Sequence, residues 1–201
     1  VVIYGAADDR VARIAALEAG AEECLTDLPG EALLLALLRN LTRKRAEREE
    51  LLRRQPLGAA DAFAEASAGF APRARITVVP PTATEGPGWR SRIAAASGAK
   101  VTLATSATAL KPEAEGDAYV IALTPGNPGA ALGLVAELRA RPSTRHALVL
   151  LHTPRERDDT ADMAFDFGAD AVMRGTFSSA ELVARLDRLL DRKRETDRLR
   201  A

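Results

Sequence analysis

Cysteine and aromatic residues are both scarce in this chain of 201 residues. The single cysteine, Cys24, excludes an internal disulfide and a zinc site built on cysteines. We expect it to be a small buried apolar residue of a protein in a reducing, cytoplasmic compartment. Aromatic residues make up 4% of the chain, which argues against the stacking platforms that bind nucleobases.

A net charge is absent as well, since Lys and Arg number 28 and Asp and Glu also number 28. Without an excess of one sign, no long-range field favours nucleic acid or an anionic membrane as a partner. No apolar run approaches the roughly 18 residues of a membrane span. Apolar residues make up 47% of the chain, which is ample for a packed core, so we predict a globular protein with neither kind of partner.

Short apolar runs alternate with helical patterns from Arg75 onward, and turn residues separate each pair. Five strands that alternate with five helices predict an α/β fold with a doubly wound parallel sheet, because parallel neighbours need crossover helices. A flavodoxin-like strand order is common at this size. The predicted strands are 76–79, 100–104, 118–123, 148–151 and 171–173, and the predicted helices are 89–96, 107–110, 130–140, 160–167 and one from residue 179 onward.

An internal repeat links the two ends of the chain. The segment ALEAGAEECLTDLPGEALLLALLRNLTRKRAER resembles AFDFGADAVMRGTFSSAELVARLDRLLDRKRETDR, with an offset of 148 residues at Gly20 and Gly168. The offset becomes 149 where Arg43 matches Arg192. The first strand, helix, strand and helix therefore match only the end of the longer unit. We divide the chain into half a domain at 1–55, a linker rich in Ala and Gly at 56–72, and a complete domain at 73–201.

The first segment is too small to stand alone, because two strands are marginal even with helical support. The chain also begins inside a predicted strand and without an initiator methionine. We expect the natural protein to have a preceding segment of roughly 60 to 80 residues that completes this domain.

Both copies of the repeat end in a charged helix. The run RKRAEREELLRR, which starts at Arg43, has few residues to bury, so we expect it to project from the globule. Each copy has an Arg/Lys cluster, at 43–45 and at 192–194, but acidic residues interleave with both clusters. A solvated helical face explains them better than contact with nucleic-acid phosphates.

The two histidines, His146 and His152, flank one predicted strand. Neither has a cysteine or an acidic residue at ligand spacing, so we predict no metal site and interpret His152 as a side chain at the edge of a pocket. We interpret Trp89 as a core anchor, with an interface as the alternative because it lies beside Gly86, Pro87 and Gly88. We also predict no cofactor, since no phosphate-binding glycine motif is present.

Both copies of the repeat resemble receiver domains of two-component response regulators. The resemblance rests on ALEAGAEECLTDLP and FGADAVMRGTFSSAEL, and in the complete unit also on ARITVVPP and GDAYVIALTPGNPG. The helix end DRKRETDRLR is further similar to the connector of PleD-type diguanylate cyclases, in which two tandem receivers precede a cyclase domain. The resemblance implies one complete CheY-like domain that follows half of another.

Carried over residue by residue, the resemblance implies a degenerate phosphoacceptor pocket. The aspartyl nucleophile falls on Ala122, and the acidic pair that holds Mg²⁺ falls on Pro80 and Pro81. These residues supply neither a nucleophile nor oxygen ligands for a metal ion.

The remaining pocket positions are mostly changed as well. The phosphate-pairing lysine falls on Gly175, with Arg174 beside it as a misplaced cation and a candidate anion contact. Only the hydroxyl survives, as Thr153. In the first copy, Gly5 stands where the hydroxyl belongs and Asp27 where the lysine belongs. The resemblance therefore implies a pseudo-receiver, and the changes at Gly5 and Asp27 also argue against a working phosphoacceptor in the first copy.

The function that this resemblance implies is regulation by contact. The degenerate receiver would act as a dimerisation and adaptor module for an output domain beyond Ala201, which for PleD-type proteins is a diguanylate cyclase. This chain has no GGDEF-like signature, so we expect no catalysis by it. The family implies a homodimer through the face of the last two helices and the strand between them, and a histidine kinase that contacts the first receiver.

An alternative stays open at this point. The crevice at the carboxyl ends of the strands, rimmed by Pro80, Thr124, Thr153 and Arg174, would bind a small anion or a nucleotide as a sensor. A flavodoxin-type enzyme is disfavoured, because the crevice has no set of acid, base and nucleophile.

Overall fold

The computed structural model describes residues 2–4, 10–25, 30–54, 74–124, 126, 128–154 and 163–200. The strands are β1 (Val2–Tyr4), β2 (Glu23–Leu25), β3 (Arg75–Val79), β4 (Lys100–Leu103), β5 (Ala118–Ala122), β6 (Leu148–Thr153) and β7 (Ala171–Arg174). The α-helices are α1 (Arg10–Glu18), α2 (Glu31–Arg54), α3 (Gly86–Ser97), α4 (Pro128–Ala140) and α5 (Ser179–Arg200). Short 3₁₀ turns lie at Pro112–Ala114 and Met163–Phe165.

The larger sheet has five strands in the order β4-β3-β5-β6-β7, and every neighbouring pair is parallel. This is the flavodoxin-like order, and it confirms the predicted fold class. Because all five strands point the same way, their carboxyl ends meet at one edge of the sheet. Ala122 pairs with His152 and Thr153 pairs with Arg174 at that edge.

Each face of this sheet is buried, which explains why the strands are nearly continuous apolar runs. Trp89 of α3 and Leu186 of α5 pack with strand residues such as Val120 on one face. On the other face, Val135 of α4 packs with strand residues such as Ile121. Trp89 is 3% exposed, so its predicted place in the core is confirmed.

The first segment forms a two-stranded parallel sheet of β1 and β2. Leu17, Ala21 and Cys24 form a small buried cluster against which Ala184 of α5 packs. Cys24 is buried, as predicted. The second unit therefore covers apolar surface that the short sheet leaves open.

Three predictions about local structure need correction or lie outside the described residues. Residues 107–110 form turns rather than a helix, because the Thr105 and Thr108 hydroxyls bond to nearby backbone amides and compete with helical hydrogen bonds. In the predicted helix 160–167, the described part begins with the 3₁₀ turn Met163–Phe165. The proposed linker at 56–72 lies outside the described residues.

The charged end of α2 does not project by itself, which corrects another prediction. Arg48 of α2 pairs with Glu195 of α5, and Glu47 of α2 pairs with Arg200 of α5. The two long helices therefore lie beside each other along their charged halves.

Candidate functional site

The carboxyl edge of the large sheet brings together the positions that the sequence assigned to a phosphoacceptor pocket. Pro80 directly follows β3, Ala122 ends β5, Thr153 ends β6, and Gly175 follows β7. Ala122 is 7% exposed and Thr153 is 1% exposed, while Arg174 is half-buried. The parallel topology explains this convergence, and the functional roles given to these positions stay predictions.

The chemistry of this edge is apolar where a metal site would need oxygen ligands. Pro80 and the half-buried Pro81 have no side-chain oxygen, and the Pro80 ring packs close to Gly86. A Cβ atom added to Gly86 would lie 3.3 Å from Pro80 Cγ and 3.2 Å from Leu103 Cδ1. Among the described residues, no group of three or more His, Cys, Asp or Glu side chains is placed to hold a metal ion.

His152 is a core residue and not a pocket-edge residue, so that prediction was wrong. It is 4% exposed and makes edge contacts with Trp89 and Phe177, at centroid distances of 5.2 and 5.5 Å. Trp89 and Phe177 stack on each other at 4.2 Å. The strand extends to Thr153, and alternation along it turns His152 to the same face as Leu150.

Burial favours the neutral form of the His152 imidazole. Burial lowers the pKa of His152, and a hydrogen bond to the Gly175 carbonyl opposes this shift. Nε2 lies 3.1 Å from that carbonyl oxygen, to which it donates. Gly175 has a φ of 80°, so a side chain at this position would be strained. The backbone conformation at Gly175, where the resemblance to receivers would place a lysine, thus favours glycine.

The second candidate site lies between the two segments, at the face that the internal repeat forms in each of them. This repeated face consists of α1, β2 and α2 in the first segment and of β7 and α5 in the second unit. A buried ion pair joins Glu23 of β2 to Arg185 of α5. Arg185 also lies 3.5 Å from Glu181, which in turn accepts a hydrogen bond of 3.1 Å from Arg13 of α1. Burial alone would lower the pKa of Arg185, but Glu23 and Glu181 raise it above its ordinary value. This network joins the first segment to the second unit at two places, through Glu23 with Arg185 and through Arg13 with Glu181.

Two further ion pairs follow the internal repeat. Lys44 Nζ lies 2.9 Å from Asp170 Oδ1, and Arg192 lies 3.1 Å from Glu22 Oε1. Glu22 and Asp170 are 148 positions apart and so occupy matching places in the repeat, and both cations come from the matching Arg/Lys clusters. Each copy therefore presents the same acidic position to the other, whereas the two cations are neighbours within the cluster, since Arg192 matches Arg43 and not Lys44.

Hydrogen bonds from side chains to backbone carbonyls also connect the two segments in both directions. Asn40 of α2 donates to the Ala169 carbonyl at 3.0 Å, and Arg188 of α5 donates to the Gly20 carbonyl at 3.1 Å. Asn40 is 3% exposed, so its amide serves a specific partner and not solvent. The helices of each segment thus bind the turn that precedes the last strand of the other.

Sequence reasoning identified this face but not its partner. The apolar stripe in the sequence of α2, which its helical spacing predicts to be mostly core, comprises Leu33, Leu34, Leu37, Leu38 and Leu41. It is only partly core, because Leu33 and Leu37 are buried whereas Leu38 is 46% exposed. The signals that were missed are polar residues at buried positions, namely Glu23 and Asn40. Gly5 and Asp27, the switch positions of the first copy, lie outside the described residues.

No protein-family model matches the chain, and no curated protein matches it. Solved structures do. A two-component response regulator of the LuxR family from Aurantimonas sp. SI85-9A1 is 27% identical, with a TM-score of 0.51, and the match covers 59% of this chain and 86% of that one. A response regulator from Chloroflexus aurantiacus J-10-fl is 24% identical, with a TM-score of 0.52. That match covers 59% of this chain and 98% of the Chloroflexus chain.

A response regulator receiver domain protein from Clostridium thermocellum is 20% identical, with a TM-score of 0.52 and coverage of 61% of this chain and 98% of that one. The fold is therefore that of receiver domains. Within the described residues, no helix is both long enough and apolar enough to cross a membrane.

Proposed function

We propose that this chain is a regulatory part of a two-component signalling protein, in which the second unit is a non-phosphorylated adaptor. In this proposal, residues 1–55 are the second half of a first receiver domain, and the adaptor holds them through the repeated face. The buried ion pair between Glu23 and Arg185 carries the proposal, because it commits both segments to one arrangement. The receiver fold of the neighbours supports it.

The adaptor role follows from the chemistry at the sheet edge. Phosphoryl transfer to a receiver needs a carboxylate nucleophile and oxygen ligands for Mg²⁺. Ala122, Pro80 and Pro81 provide none of these groups, and Gly175 provides no cation. What the unit retains is a rigid core and a face that binds its own repeat.

The packing also suggests how a signal would travel. A histidine kinase would act on the first receiver, and a change there would shift α2 against α5. Because α5 continues as a charged helix to Arg200, its end would transmit the shift to an output domain. Similarity to the PleD-type connector favours a diguanylate cyclase as that output.

A homodimer through the same face competes with this packing. In this structure α1 and α2 already cover that face of the second unit, through contacts such as Lys44 with Asp170. A second copy of the chain would have to displace them. We therefore propose that the repeated face acts within the chain, and that dimers form elsewhere or only after release.

Hydrogen–deuterium exchange of the chain tests the docking. We expect Ala184→Glu, which puts a charge against the Leu17, Ala21 and Cys24 cluster, to speed exchange of the α1 amides while β5 and β6 stay protected. The control Ala95→Glu adds the same charge at an exposed position of α3. Equal protection of α1 in both variants would contradict the proposal.

A further inference from the structure

A cavity of about 430 Å³ lies between the charged halves of the two long helices and the turns that flank β6 and β7. Eight cationic side chains and four acidic ones line it, although the whole chain carries no net charge. Both Arg/Lys clusters of the repeat contribute, through Arg43 and Lys44 on one side and Arg192 and Lys193 on the other. The docking of the segments thus concentrates positive charge in one place.

Some of these cations are structural. Arg139 donates to the carbonyls of Gly168, Arg145 and Ala147 and to the carboxylate of Asp170. Burial alone would raise the pKa of Asp170, but Lys44 and Arg139 lower it below its ordinary value. These groups satisfy one another and form the wall of the cavity.

Two other cations have no acidic partner in the part of the chain that the structure describes. Neither Arg43 nor Arg145 forms an ion pair with any described residue, and both side chains are exposed at the cavity. The Arg145 guanidinium donates to the ring of His146, at 3.0 Å. Burial lowers the pKa of His146, Arg200 and Arg145 lower it further, and Asp197 and Glu47 oppose this shift.

We propose that this cavity binds a small polyphosphate anion, with its phosphates between Arg43 of the first segment and Arg145 of the second unit. Guanidinium groups suit phosphate oxygens because they donate two parallel hydrogen bonds. A volume of about 430 Å³ lies within the range of small-molecule sites, of roughly 300–1,000 Å³. This site is distinct from the sheet edge where the sequence suggested a sensor crevice.

The ligand would also regulate docking, and in this respect the inference rests on the proposed function. An anion held by both segments binds the docked arrangement and not the open one, so it shifts the equilibrium toward docking. It would therefore slow hydrogen exchange in α1 and α2. A signal that separates the segments would release it.

Calorimetric titration with inorganic tripolyphosphate and with ATP, without added divalent ions, tests the proposal. We expect both to bind the full chain, and Arg43→Ala and Arg145→Ala each to weaken binding about tenfold by the loss of charge-assisted hydrogen bonds. The matched control is Arg90→Ala, an exposed arginine of α3 outside the cavity, which should bind as the unchanged chain does.

The two probes also distinguish the source of the phosphates. Equal affinities support a site for the phosphate chain alone. Tighter binding of ATP that Phe167→Ala abolishes supports a nucleotide, since Phe167 is 41% exposed at the cavity. No binding of either probe up to about 1 mM, or an equal loss in Arg90→Ala, would overturn the proposal. If exchange shows docked segments while neither probe binds, only the ligand site fails.

Discussion

Arg185 of α5 donates a hydrogen bond to the carboxylate of Glu23 in β2, and neither side chain is more than 7% exposed. The two residues are 162 positions apart, so the pair closes a contact between the two ends of the chain. Desolvating two charges is costly, and the geometry compensates only while both partners are present. The pair therefore makes the arrangement of the segments specific.

Removal of one partner is expected to be strongly destabilising. Arg185→Ala leaves Glu23 buried without its counter-ion, and we expect a loss of about 3 to 5 kcal/mol in the free energy of unfolding. Urea unfolding followed by the fluorescence of Trp89, the only tryptophan, measures it. The double variant Glu23→Leu with Arg185→Met should recover most of the loss.

The matched control for that prediction is Arg45→Ala. Arg45 also pairs with a carboxylate, that of Glu49, but the two side chains are 81% and 48% exposed. Solvent screens such a pair, so we expect no measurable change. A similar effect of Arg45→Ala and Arg185→Ala would contradict the role given to the buried pair.

His152 should make stability depend on pH. Because burial lowers its pKa in the folded state, the unfolded chain binds the proton at higher pH than the folded chain does. The stability due to neutral His152 is fully present above its ordinary pKa of about 6.5 and is lost as pH falls toward the lower folded-state pKa. Unfolding free energies of the unchanged chain should therefore decrease from pH 7 to 5.

Replacement of the imidazole is expected to flatten this dependence. His152→Leu cannot take up a proton, so its unfolding free energy should fall less over the same range, as measured by urea titration at several pH values. His146→Gln is the comparison, and because His146 is exposed we expect a smaller effect. If His152→Leu keeps the full slope, another group causes it.

Phosphorylation of the second unit is expected to be absent. Ala122 has no oxygen to attack a phosphoryl donor, and Pro80 and Pro81 cannot bind Mg²⁺. Incubation with acetyl phosphate and Mg²⁺, followed by intact mass analysis, should show no adduct on residues 74–200. We expect the same for Ala122→Asp, since the metal ligands are still missing. An acid-labile adduct in this region of the unchanged chain would refute the adaptor role.

The core of the fold could be predicted from the sequence because its signals are local. The buried strand 118–122 reads as a continuous apolar run, and turn residues mark both of its ends. By contrast, His152 was misplaced because the predicted strand stopped at residue 151, and only the longer strand turns its ring toward Trp89. The strand runs two residues further, to Thr153, and its alternation places His152 on the face of Leu150.

The docking of the two segments could not be predicted in the same way. Lys44 and Asp170 are far apart in sequence, and the sequence does not indicate which charged residue will pair with which. The internal repeat shows that the two segments have similar sequences, but this similarity does not predict that one copy binds the other. The cavity beside Arg43 arises only from that docking, so no local motif indicates it.

The reactivity of Cys24 tests most directly the claim that the first segment is docked on the second unit. Cys24 is the only cysteine, it is 6% exposed, and burial raises the pKa of its thiol, so two effects slow its reaction. If the segments are docked, Ellman's reagent should react slowly with the unchanged chain and much faster with Ala184→Glu, while Ala95→Glu stays slow. Rapid reaction in the unchanged chain, or equal rates in all three proteins, would contradict the account.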